Sequence, residues 1–124
     1  MNDADRAFRA AEEEIERARA KNATDLDFDA PHFRALDRLP PSIATLTQLD
    51  TLDLANTEVT DIALLQALSA LQLLRLVNTQ VIDLAPLQRL SKLQRLSLAN
   101  TQVTELTPLQ GLSALSSLVL DDTQ

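Results

Sequence analysis

His32 is the only histidine of this chain, and it stands in the stretch "DAPHF" close to Asp29, with Ser42 further along. A carboxylate, an imidazole and a hydroxyl are the parts of a nucleophilic hydrolase, in which the carboxylate orients the ring and the ring takes the hydroxyl proton. That chemistry depends on placement, which spacing alone does not supply. The plain alternative is a surface histidine in an irregular loop. With no cysteine beside this single imidazole, a four-ligand zinc site is not expected. One glycine is too few for a glycine-rich phosphate loop. The carboxylates of "AEEEIER", 11–17, read as a solvated helix face. The sequon Asn22-Ala23-Thr24 is discounted because no signal peptide precedes it. No catalytic, cofactor-binding or metal-ligating residue emerges, so the expectation is a protein that is not an enzyme and needs no cofactor.

What remains is surface chemistry, and an internal repeat decides which side chains reach the surface. "NTEV" at 56–59 returns as "NTQV" at 78–81 and again at 100–103, and "DDTQ" at 121–124 echoes it. Apolar residues keep the same step. Leu49, Leu52, Leu54, Val59, Ile62, Leu65 and Leu68 recur as Leu71, Leu74, Leu76, Val81, Leu84, Leu87 and Leu90, then as Leu93, Leu96, Leu98, Val103, Leu106, Leu109 and Leu112. Leu115, Leu118 and Leu120 open a fourth unit. Leu52-x-Leu54 alternates as a strand does, whereas Ile62, Leu65 and Leu68 recur every third residue, as on a short helix or 3-10 segment. A bend at Asn56-Thr57 joins the two halves. One such coil cannot bury its leucines; stacked coils can. With three Phe and no Tyr or Trp, the core is expected to be many equal leucine layers rather than a few aromatic anchors.

These units resemble leucine-rich repeats of the form L-x-x-L-x-L-x-x-(N/T)-x-V. Their second halves, "VIDLAPLQRL" and "VTELTPLQGL", are similar to the D-L-x-P-L type of bacterial internalin-like proteins. The resemblance covers about residues 23–124. It implies an α/β fold: a right-handed solenoid with a parallel sheet on the concave face, short helical or 3-10 segments on the convex face, and an N-terminal capping helix. The family usually places Asn inside the bend, where this chain has Thr57, Thr79, Thr101 and Thr123. A threonine hydroxyl offers one donor and two lone pairs to buried backbone. Asn56, Asn78 and Asn100 are then expected outside, at an awkward turn that suits asparagine; a ligand-binding ladder is the competing reading. Pro86 and Pro108 fit the first turn of the short segments, and Asp61, Asp83 and Glu105 just before them would complement the N-terminal dipole.

The two ends depart from the repeat. Residues 24–49 form a longer first unit in which Leu26 and Phe28 align with Leu52 and Leu54, and Phe33 takes the valine place. Its "LPPSIATLTQL" resembles other leucine-rich repeats and the way the arrays of multidomain bacterial proteins, Roco-type GTPases among them, begin. Residues 1–22 read as a capping helix, started by Asn2 or Asp3 and ended by Asn22, with an apolar stripe of Phe8, Ala11, Ile15 and Ala18 and a Glu13–Arg17 pair. A coiled-coil helix is the alternative. At the other end Gln124 stops short of the next valine, which would leave Leu115, Leu118 and Leu120 without a cover. The expectation is a fragment of a longer array that self-associates through this uncapped C-terminal end.

Alternation along each strand aims the residues between the leucines at the concave face. The central column reads Asp27, Asp53, Arg75, Ser97, Val119. The column before it reads Asp25, Thr51, Leu73, Arg95, Ser117, and the column after it Asp29, Ala55, Val77, Ala99, Asp121. Asp53, Leu73, Arg75, Val77, Arg95, Ser97 and Val119 are the candidate protein-binding residues, since arginine among apolar neighbours is favoured at interfaces. A plain surface pair between Asp53 and Arg75 is the other reading, and both stand. A net charge of −7 argues against nucleic acid and against anionic membrane as partners. The charged N-terminus has no apolar signal core, which points to the cytoplasm, though a signal-independent export route leaves no such mark. The expected function is a module that binds another protein through its concave face. The alternatives are a recognition or regulatory arm of a larger protein, for example a GTPase or effector enzyme whose catalytic part lies beyond residue 124, and a self-assembling scaffold.

Overall fold

The computed structural model describes residues 2–120. Helix α1, Asp3–Lys21, leads into five short strands: β1 Asp25–Asp27, β2 Thr51–Asp53, β3 Leu73–Arg75, β4 Arg95–Ser97 and β5 Ser117–Val119. They form one parallel sheet in chain order, and each return path carries 3-10 turns: Pro31–Phe33 and Pro41–Thr45 in the first unit, then Ala63–Ala67, Ala85–Leu87 and Thr107–Leu109. The register is that of the repeat. Leu26, Leu52, Leu74, Leu96 and Leu118 stand opposite one another across the sheet. Every-third spacing thus resolves to 3-10 turns, and Pro86 and Pro108 fall in their first turns.

The core is one continuous column of leucine layers, closed at its start by Phe28 and Phe33, whose rings meet edge to face at 4.8 Å. Each fully buried leucine contributes about 1.5–3 kcal/mol. The bends close as Thr chemistry allows. The hydroxyls of Thr57, Thr79 and Thr101, all buried, donate to the carbonyls of Leu54, Leu76 and Leu98 at 2.9, 2.7 and 2.7 Å. Asn56, Asn78 and Asn100 sit in the left-handed region with φ of 63°, 58° and 57°, a conformation Asn tolerates better than other non-glycine residues. That is how the chain turns each bend without glycine. Asp61 and Asp83 accept the backbone N–H of Ala63 and Ala85, and Glu105 that of Thr107, so all three cap the turns that follow. Asp121 and Thr123 lie outside the described residues.

α1 packs on the first coil, as a cap does, not as half of a coiled coil. Asn2 caps it through Oδ1, which accepts the Asp5 N–H at 2.8 Å, and Asn22 ends it in the left-handed region. Two details differ from expectation. The buried stripe is Ala7, Ala11, Ile15 and Ala18 rather than one containing Phe8. Alanines let the helix approach the coil closely, and the bulkier Phe8 stays half-buried at the margin, under the Arg38 guanidinium 4.2 Å from its ring centre. Arg17 pairs with Glu14 at 2.7 Å instead of Glu13. Glu14 and Arg17 line the groove between α1 and β1, so the nearer i,i+3 partner on that side wins.

Candidate functional site: the concave sheet face

Along β2, β3 and β4 each central leucine is buried and its neighbours face outward, so the sheet presents two register columns of side chains. Asp53, Arg75, Ser97 and Val119 are direct register neighbours, and so are Leu73, Arg95 and Ser117. Leu73, Arg75, Arg95, Ser97, Ser117 and Val119 line one open depression over β3–β5, floored by Leu74 and Leu96. Val77 follows β3 and is half-buried. Five of the seven candidate residues therefore meet in this depression, Asp53 joins them through Arg75, and Val77 lies outside its lining. Ala55 is different: it is fully buried rather than exposed. Asp53 and Asn56, on either side of it in the chain, have side chains that bond to Arg75 and Asp29.

The two arginines are not equivalent. Arg75 Nη1 bonds to the Asp53 carboxylate and lies 3.9 Å from Asp29 Oδ2. Asp29 also receives the Arg34 guanidinium at 3.0 Å and the Asn56 amide at 3.0 Å. Asp29, Arg34, Asp53 and Arg75 thus form a network at the start of the face, reaching beyond the Asp53–Arg75 pair visible in the columns. Arg95 has no carboxylate partner among the described residues, and it is exposed between Leu73 and Ser117. A guanidinium left to water beside apolar side chains is available to an incoming carboxylate.

Asn56, Asn78 and Asn100 make a ladder beside this face. Each amide nitrogen donates to the carbonyl oxygen one coil earlier, at 2.7 Å from Asn100 to Asn78 and 2.7 Å from Asn78 to Asn56. The ladder ends on the Asp29 carboxylate. The asparagine column was plain in the sequence, but its direction and its anionic terminus required the coils to be stacked. One donor of each amide is used within the chain, which supports a structural role.

The Asn56 amide is the chief cause holding the Asp29 carboxyl below the usual carboxylate range; the Arg34 hydrogen bond, its charge and the Arg75 charge add to it. The folded value is thus lower than the unfolded one, and the unfolded chain binds more protons in between. The contribution is complete above about pH 4 and is lost as pH falls through the lower folded value. In urea unfolding, the stability lead of the wild-type chain over Asp29→Asn should shrink as pH drops from about 5 to about 2.5. An unchanged lead would mean that the network does not act through the charge.

No hydrogen bond joins His32, Asp29 and Ser42 among the described residues; Asp29 is engaged as above, and the exposed His32 ring leans on Phe33, 4.1 Å between centres. Among the described residues no three acidic or histidine side chains gather in a metal-holding group, and no helix is long and apolar enough to cross a membrane.

An internalin from Listeria monocytogenes superposes with a TM-score of 0.74 over 89% of this chain and 31% of its own, at 22% identity. Internalin C2 from the same species gives a TM-score of 0.68 at 35% identity over 83% of this chain and 54% of its own. A leucine-rich repeat protein from Leptospira interrogans gives 0.78 at 26% identity over 89% and 28%. The fold is an internalin-like leucine-rich repeat solenoid. No family model and no curated protein matches the chain. This leucine-rich repeat chain spans between 28% and 54% of the length of those three structures. The repeat architecture it shares with them is one that generally serves protein interaction.

Proposed function

We propose that this leucine-rich repeat solenoid is a non-enzymatic module that holds a segment of a partner protein against its concave sheet. The observation that carries this reading is the depression over β3–β5, in which Arg95, unpaired among the described residues, stands between Leu73 and Ser117 above a leucine floor. Apolar surface beside a free guanidinium is the composition of interface hot spots. Fold alone does not assign a partner. Peptides selected from a random display library, titrated into the isotope-labelled protein, should perturb the amides of Leu73, Arg75, Arg95 and Ser97. Arg75→Glu and Arg95→Glu should each weaken their binding about tenfold, a change of about 1.4 kcal/mol. Perturbations confined to the 3-10 turns would remove the concave face from consideration.

A second reading, self-association through the last coil, has its own observation. Leu106 and Leu118 are each 37% exposed and Val119 40%, whereas Leu84 and Leu96, one repeat earlier than the two leucines, are 0% and 1% exposed. Apolar surface on a β5 edge favours pairing with a second copy. Sedimentation over a wide concentration range should show a dimer; a single monomeric species throughout would sink this reading.

A further inference from the structure

The concave face is built as a pair of opposite charges held a fixed distance apart. Asp25, Thr51, Leu73 and Arg95 stand in one register column on β1, β2, β3 and β4. Asp25 and Arg95 are both exposed, and neither makes an ion pair among the described residues. Arg17 and Lys21 line the groove beside Asp25 without bonding to it. Between the two ends the carboxylates of Asp53 and Asp29 are met by the guanidinium groups of Arg75 and Arg34. Three strand spacings of about 4.8 Å put Asp25 and Arg95 about 14 Å apart. That exceeds the screening length of about 8 Å at physiological ionic strength, so the two ends select charge independently.

We propose that the ligand of this face is an extended peptide segment that crosses the strands and carries a cation and an anion four residues apart. This rests on the concave-face reading given above. The sheet favours crossing: its strands are three residues long, about 7 Å from first to last Cα, while five strands span about 19 Å. An extended chain advances about 3.4 Å per residue, and every second side chain faces the same way. Residues i and i+4 therefore share a face at about 13.6 Å, which matches the Asp25–Arg95 separation. Residue i+2 falls over Thr51 and the half-buried Leu73, where an apolar side chain fits. A purely acidic segment satisfies Arg95 but is repelled at Asp25 and Asp27, and a purely basic one fails at Arg95. A chain of net charge −7 thus takes a ligand of mixed charge rather than simply a basic one.

Synthetic seven-residue peptides test this by fluorescence anisotropy. The reference probe carries lysine and glutamate four residues apart, leucine midway and serines elsewhere. It should bind more tightly than versions with the charges two or six residues apart. A probe with glutamate at both charged places should lose about tenfold in affinity, as close interface charges do. Arg95→Glu should lose the reference probe about tenfold, and the double variant Asp25→Lys/Arg95→Glu should recover it, because the peptide can lie in the opposite direction. Neither side chain is used inside the described fold, so circular dichroism of both variants should match the parent. Equal affinity for the two-glutamate probe, no preference for the four-residue separation, or no recovery in the double variant would each overturn the proposal. So would binding of library-selected peptides on the concave face without binding of the reference probe, a result that leaves the concave-face reading intact. Perturbations away from the sheet would end both.

Discussion

Phe28→Ala is expected to lower the unfolding free energy by about 3–5 kcal/mol, the range for emptying a buried phenylalanine site. Phe28 is fully buried and stands where the repeat meets its cap. Its ring meets Phe33 edge to face, an arrangement worth about 0.5–1.5 kcal/mol beyond buried area. Its backbone N–H also bonds the Asp53 carbonyl at 2.8 Å, continuing the ladder that joins β1 to β2. Alanine keeps that bond and removes only the ring, so the loss reports packing. Domains of this size have total stabilities of about 5–15 kcal/mol. The urea midpoint should fall by roughly 2 M. A change below about 1 kcal/mol would show that the aromatic pair does not anchor the first coil.

Leu74→Ala is the second large effect, expected at about 2–5 kcal/mol. Leu74 is fully buried at the middle of the solenoid, between Leu52 and Leu96 in the register. In a stack each coil contacts only its neighbours, so stability is close to a sum of coil and interface terms. A cavity under β3 weakens two interfaces at once. Amide exchange should therefore speed up in β3 and β4 before it does in α1 and β1, which keep their own contacts. Uniform acceleration along the chain would argue that the coils unfold as one unit.

Much of the candidate face was legible before any coordinates, because a parallel repeat of constant step fixes register by arithmetic. Once Leu52, Leu74 and Leu96 are aligned, Asp53, Arg75 and Ser97 must be neighbours, and they are. The threonine bends were legible for the same reason: a buried hydroxyl at a turn has a nearby carbonyl to satisfy. The long-range partners were not. Arg75 approaches Asp29, two coils away, because its side chain is long enough to span the intervening strand, and no period in the sequence encodes that reach. Ala55 is buried where alternation placed it outside, since exposure depends on the height of neighbouring side chains as well as on direction.

The amino-acid sequence by itself determined the coil, its length, its leucine layers and the identity of the two register columns within the strands. Those follow from hydrophobic periodicity, which is local and repeats. The tertiary structure decided which arginine is paired among the described residues and which is not, that Ala7 and not Phe8 packs against the first coil, and that the asparagine ladder ends on Asp29. These depend on distances between side chains from different coils, and such distances exist only once the coils are stacked.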